Sequence, residues 1–110
     1  MSRHDDTVSL AQMVEYSMAT IRMSRGRTRE DLDRDEMLRL ALTRAVEVIG
    51  EAAGRVSQAT RDQLPAVPWR QIISARNRLI HGYDNVDIDV LWTMCFEDVP
   101  LLIHQLKDRR

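Results

Sequence analysis

A chain of 110 residues, 44% hydrophobic and 30% charged, has the length and composition of one globular domain with its own core. Lys+Arg 16 against Asp+Glu 17 gives a formal charge of −1, which excludes a uniformly basic nucleic-acid coat and leaves room for a local basic patch. Cys95 is the single cysteine, so an internal disulfide and a Cys-rich metal site are both excluded.

No apolar run approaches a membrane span, and MSRHDDTVSL lacks the apolar stretch of a signal peptide. The default expectation is a cytoplasmic protein. In chain order, the first periodic segment runs from about Thr7 to Met23, with Leu10, Met13, Val14, Ser17, Met18 and Ile21 at three- and four-residue steps. Asp5 or Asp6 caps its start and Gly26 falls just past its end. RGRTREDLDRDE, residues 25–36, reads as a charged, exposed and partly irregular connection.

The second segment repeats Leu38, Leu42, Ala45, Ile49, Ala52 and Val56 in alternating steps of four and three, the seam of a left-handed bundle. Gly50, Ala52, Ala53 and Gly54 would let a neighbouring helix approach closely. QATRDQLPAVP reads as a loop, with Pro68 suited to the first turn of a third helix from about Trp69 to Ile80 or His81. Gly82 would end that helix in a left-handed conformation. Asp87 or Asn85 caps a fourth, which buries Val90, Leu91, Met94, Val99, Leu102, Ile103 and Leu106 and is kinked by Pro100. Four helices with short connections argue an all-α, antiparallel four-helix bundle, with room for an extra short helix.

The end of the third helix, SARNRLIHGYDNVD, carries the chemistry-bearing residues. At about 100° per residue, His81 lies roughly 140° around from Arg76, whereas Asn77 and His81 share a face. Arg76 and His81 therefore serve one site only if the helix unwinds near Gly82 or a second copy completes the site. A twofold axis near this helix end would bring two arginines and two histidines together. Histidine exchanges protons near neutral pH, and an arginine fork holds a phosphate and stabilises charge on its oxygens. The pair suits metal-independent RNA cleavage by 2′-hydroxyl attack. His4, His81 and His104 are far apart in sequence and no ligand-spaced acid cluster joins them, so no metal or other cofactor is demanded. The plainer reading of the same residues is a histidine cap at a helix C-terminus, with Arg76 and Arg78 paired to acids such as Asp84 and Asp87.

Arg76-Asn77-Arg78-Leu79-Ile80-His81-Gly82-Tyr83 resembles the Arg-x4-His-x-Tyr signature of HepT-like toxins in the HEPN superfamily. Similarity extends to Ile49-Gly50-Glu51-Ala52-Ala53, to Leu64-Pro65-Ala66-Val67-Pro68-Trp69, and to the Val- and Asp-rich start of the fourth helix. It covers roughly residues 7–107 within a single domain taken as residues 1–110. The resemblance implies a HEPN-type bundle that forms a homodimer or higher oligomer with a composite cleft, a ribonuclease toxin of a type II/VII-like toxin–antitoxin pair. It carries Arg76 and His81 over as the catalytic pair, with Asn77 in support. It also implies an MntA-type nucleotidyltransferase antitoxin that neutralises the toxin by AMPylation of Tyr83. Phosphate charge and adenosine bulk two residues from His81 would block an RNA cleft and compete for Arg76. The alternative is a non-catalytic helical module that docks a nucleotidyltransferase or binds nucleotide.

The remaining candidates divide between structure and function. Glu47 and Glu51 sit one turn apart, more simply a solvated face or partners for Arg44, Arg55 or Arg76 than a paired carboxylate site. Arg22, Arg25, Arg27 and Arg29 can meet RNA phosphates or pair with Glu30, Asp31, Asp33 and Asp35, and the sequence does not choose. Trp69, Trp92 and Cys95 fit core positions, and His104 fits the surface of the last helix.

Overall fold

Asp5 opens the first helix: its carboxylate accepts the N–H of Thr7 at 2.9 Å, satisfying one of the donors a helix start leaves unpaired. The computed structural model describes residues 5–81 and 85–107. Helix α1 spans Asp6–Ser24 and stops at Gly26, whose φ of 75° is the left-handed conformation that glycine adopts most readily. Leu10 and Met13 are buried and Val14 and Ile21 half-buried, as the spacing requires, but Met18 is 38% exposed. The polar residues Ser9, Ser17 and Thr20 take up more of the buried face than the apolar pattern suggests, and Thr20 satisfies its hydroxyl on the Tyr16 carbonyl at 2.8 Å.

The charged stretch 25–36 is more ordered than its composition indicates. It holds α2 (Arg29–Arg34), started by a reciprocal cap in which Thr28 Oγ1 accepts from the Asp31 N–H and the Asp31 carboxylate accepts from the Thr28 N–H. Leu32, the single apolar residue of this helix, is fully buried and pins it to the core. Leu32→Ala is expected to lower global stability by about 2–5 kcal/mol, read as a shift in urea midpoint.

Helix α3 (Glu36–Arg55) follows the bundle seam closely: Leu38, Leu42, Ala45, Ile49, Ala52 and Val56 are all buried. Residues 58–68 are not a simple loop. Ser57 caps α4 (Gln58–Gln63), and the Asp6 carboxylate accepts from the Ser57 N–H at 2.9 Å and the Thr60 hydroxyl at 2.6 Å. This ties the start of α1 to the end of α3, so the two helices run antiparallel. Arg61 caps α3 by donating to the carbonyls of Ala53, Gly54 and Val56, and its guanidinium stands 5.8 Å from the Trp69 ring centre. Trp69, itself buried, donates to the Leu64 carbonyl at 3.1 Å. Helix α5 (Trp69–Leu79) thus leaves this corner antiparallel to α3.

Helix α5 ends at Leu79, one or two residues before the expected stop. Ile80–His81 is extended as β1 and pairs antiparallel with β2 (Asn85–Val86), in the register Ile80↔Val86 and His81↔Asn85. The Asp87 N–H donates to the Leu79 carbonyl at 2.7 Å, extending the backbone pairing to the helix end. Asp87 then caps α6 (Ile88–Thr93) by accepting from the Val90 N–H. The irregularity expected at Pro100 lies in the turn before it. Met94–Asp98 is a π turn, with the Val99 N–H reaching the Met94 carbonyl five residues back, and α7 (Val99–Lys107) continues from there. A widened turn accommodates the proline ring, which would meet the carbonyl four residues earlier in a regular helix.

Helices α1, α3, α5 and the α6–α7 stretch surround one core, an all-α bundle apart from the two-residue strands. No helix among the described residues is long and apolar enough to cross a membrane.

Candidate functional site

The motif helix lies against α3 at Gly50. A methyl group on Gly50 would stand 3.1 Å from Arg76 Cβ and 3.2 Å from its Cδ, so the missing side chain is what admits the arginine stem. The close approach expected at Gly50 is therefore present, and its beneficiary is Arg76. Gly54 serves no such purpose, since a side chain there would meet nothing within 4 Å. Arg76 is half-buried and makes no ion pair or hydrogen bond among the described residues. Its alkyl stem is packed against Gly50. Asn77 and Arg78 are exposed on the following turn.

The backbone changes state between Arg76 and His81. Three residues after Arg76 the helix stops, and His81 sits in an extended, paired backbone. The helical offset of about 140° no longer applies once the chain leaves the helix. Of the two conditions under which Arg76 and His81 can serve one site, backbone unwinding is present, at Ile80, two residues before Gly82. Only the backbone of His81 is described. Gly82, Tyr83 and Asp84 lie outside the described residues, and with them the expected glycine stop, the modification site and the Asp84 ion pair.

The charged clusters sort themselves by partner. Arg29 bridges Asp33 and Asp89 at 2.8 Å each, joining α2 to the start of α6, and Arg27 reaches Asp35 at 3.8 Å. The hydrogen bond to the Asp89 carboxylate raises the Arg29 pKa, desolvation opposes it, and the charges of Asp33 and Asp89 add to the rise. Arg22 and Arg25 make no ion pair among the described residues, so the basic cluster is half structural. Glu47 and Glu51 are half-buried and do not pair with Arg44, Arg55 or Arg76. His104 is on the surface as expected, and Trp92 is half-buried, stacked on Phe96 at 3.8 Å.

Sequence reasoning missed the setting of Arg78. An apolar cavity of about 220 Å³ opens between α3, α5 and α7, and Arg78 and Asp98 both line it. Burial pushes the Asp98 carboxyl up, Glu97 adds to this, and Arg78 opposes it. No spacing signal links two residues twenty positions apart on different helices.

Cys95 is buried, and desolvation pushes its thiol from 9.0 up to about 12. The native thiol is expected to resist alkylation at pH 8 and to react once the chain is unfolded, which mass spectrometry with and without urea would read. Because the folded pKa is raised, the corresponding stability is complete below about pH 9 and is lost as pH rises towards 12.

The model of the family described as "Ribonuclease HepT-like" matches residues 10–108, nearly the whole chain and the full motif. The chain belongs to the HepT-like ribonuclease family. A protein of Methanocaldococcus jannaschii assigned to the RNases is 34% identical over 100 residues, 91% of this chain and 92% of its own length. A Thermococcus cleftensis protein assigned as ribonuclease HepT is 40% identical over 73 residues, 66% of each chain. A Caldanaerobacter subterraneus protein, also assigned to the RNases, is 33% identical over 84 residues, 76% of this chain and 75% of its own. No solved structure matches. Membership places the HepT-like chain among ribonucleases, and the bundle described above is the scaffold on which its motif stands.

Proposed function

We propose that this chain is a metal-independent endoribonuclease, the toxin of a toxin–antitoxin pair in the cytoplasm, acting as a homodimer with a composite Arg76–His81 site. The observation that carries the reading is the break in α5. Arg76 is held on the helix with its stem packed at Gly50, and His81 follows on extended backbone, inside a HepT-like match that spans both.

In the reaction, the arginine fork engages the non-bridging oxygens of the scissile phosphate, where charge gathers as phosphorus becomes five-coordinate. His81 removes the proton from the adjacent 2′-hydroxyl, the 2′-oxygen bonds to phosphorus, and the bond to the 5′-oxygen breaks. The leaving 5′-oxygen takes up a proton, supplied across the twofold axis by the second copy of His81. Products are a 2′,3′-cyclic phosphate and a 5′-hydroxyl. Asn77 supports the site from the same helix turn as Arg76.

Tyr83 is the switch. A nucleotidyltransferase of the MntA type transfers AMP to its phenolic oxygen with release of pyrophosphate. Negative charge then sits two residues from His81 and draws Arg76 away from substrate. Co-expression with an MntA-type nucleotidyltransferase is expected to raise its intact mass in AMP-sized steps and silence cleavage, with Tyr83→Phe unmodified. Silencing without a mass change would remove the modification from the account.

A further inference from the structure

A trough of about 540 Å³ runs between α4 and α5, within the size range of about 300–1,000 Å³ typical of ligand sites. Its α5 wall is Arg70, Ile73, Ser74 and Asn77, the i, i+3, i+4, i+7 series that lines one face of a helix. The trough therefore ends on the residue that follows Arg76 in the motif, and Ile73 stands one helical turn below Arg76 itself. Pro65 and the half-buried Ile73 add apolar surface, while Arg70 is exposed and makes no ion pair among the described residues.

The polar groups along this wall have a definite chemistry. Ser74 Oγ donates its proton to the Arg70 carbonyl at 2.8 Å, so its oxygen faces a ligand as an acceptor only. The Asn77 amide is exposed, with no hydrogen bond among the described residues, and offers both a donor and an acceptor. On the α4 side Asp62 lines the trough and accepts from the Gln58 amide at 2.8 Å. Arg61 also lines this wall but is engaged by the α3 carbonyls and the Trp69 ring, so the Asp62 carboxylate turns an anion towards Arg70 on the opposite wall.

We infer that this trough holds the RNA strand flanking the scissile phosphate: Arg70 binds a neighbouring phosphate, a base rests on Ile73 and Pro65, and Ser74 and Asn77 contact sugar or base edges. This rests on the ribonuclease reading above and adds a substrate-binding surface to it. A cation on one wall, an acceptor and an amide beside it, and an apolar floor match the alternating phosphate, sugar and base of a single strand. Arg70, Ser74 and Ile73 are thereby residues that set where the chain cuts and how tightly it binds.

The test compares wild type, Arg70→Ala and Asp62→Asn in cleavage of a single-stranded RNA long enough to fill the trough and of a dinucleotide too short to reach it. With the long RNA, Arg70→Ala is expected to raise KM about tenfold at low salt with kcat little changed. Binding of the same RNA to His81→Ala, with and without Arg70→Ala, should lose about one unit of salt slope. Asp62→Asn should tighten binding, a gain that damage to the fold cannot imitate. Dinucleotide cleavage by wild type sets the activity that does not depend on the trough. If wild type cuts the long RNA and Arg70→Ala cuts it equally well, the trough is not the strand site although the ribonuclease reading stands. If wild type cuts neither RNA, that reading itself falls. An Arg70→Ala effect on dimer mass with RNA affinity unchanged would assign the trough to a second copy of the chain and overturn the inference.

Discussion

His81→Ala is expected to lower the rate of RNA cleavage by about 10²–10⁴-fold, the usual contribution of a positioned acid–base group. Arg76→Ala should cost about 10²–10³-fold, the scale of losing one donor to transition-state charge. Neither change should cost much stability. Arg76 makes no ion pair or hydrogen bond among the described residues, and His81 follows the helix on a two-residue strand. Arg76→Lys should recover little, because an ammonium keeps the charge and loses the planar fork. The informative measurement is single-turnover cleavage alongside urea unfolding of the same preparations. A rate loss matched by loss of fold would reduce both residues to structural parts.

Gly50→Ala should likewise separate activity from stability. Alanine is favoured over glycine in a helix interior by about 1 kcal/mol. Against this, the new methyl would sit 3.1 Å from Arg76 Cβ, an atom close to the backbone that yields only if α5 shifts by a few tenths of an ångström. The two effects offset, so the stability read from urea unfolding should change by no more than about 1 kcal/mol. The arginine head, at the end of a long side chain, inherits the shift. A misplacement on the order of 1 Å costs about 10²-fold in rate, so cleavage should fall by ten to about a hundredfold. Full activity in Gly50→Ala would mean that the seam between α3 and α5 does not set the position of Arg76.

The α3 seam was legible because its apolar residues recur in alternating steps of four and three over the whole helix, and every one of them is buried. Close packing at Gly50 was legible because a glycine inside a strong helix can mark a close neighbour, although Gly54 in the same helix marks none. The short helices α2 and α4 were not. Each carries too few apolar residues to show a period, and Leu32 is the single one in α2. Their traces were in the caps instead: Thr28 with Asp31 three residues on, and Ser57 with Thr60. The stop of α5 was misplaced because the helical pattern of Leu79 and Ile80 reads on unbroken, while the pairing of Ile80 with Val86 is a contact that local periodicity does not encode. That misplacement bears directly on function. The motif looked like two residues on different faces of one helix, but the chain leaves the helix at Ile80, so that helical offset does not apply to His81. Arg70, Ser74 and Asp62 went unnoticed for a simpler reason: isolated polar residues gain a meaning only when two helices bring them to one trough.

The central claim is that Arg76 and His81 cut RNA by internal attack of the 2′-hydroxyl, and the ends of the products test it most directly. Homogeneous wild-type protein in excess EDTA, incubated with end-labelled RNA, should leave 2′,3′-cyclic phosphate and 5′-hydroxyl termini, with His81→Ala inert under the same conditions. Products bearing 5′-phosphates, or equal cleavage by wild type and His81→Ala, would contradict it.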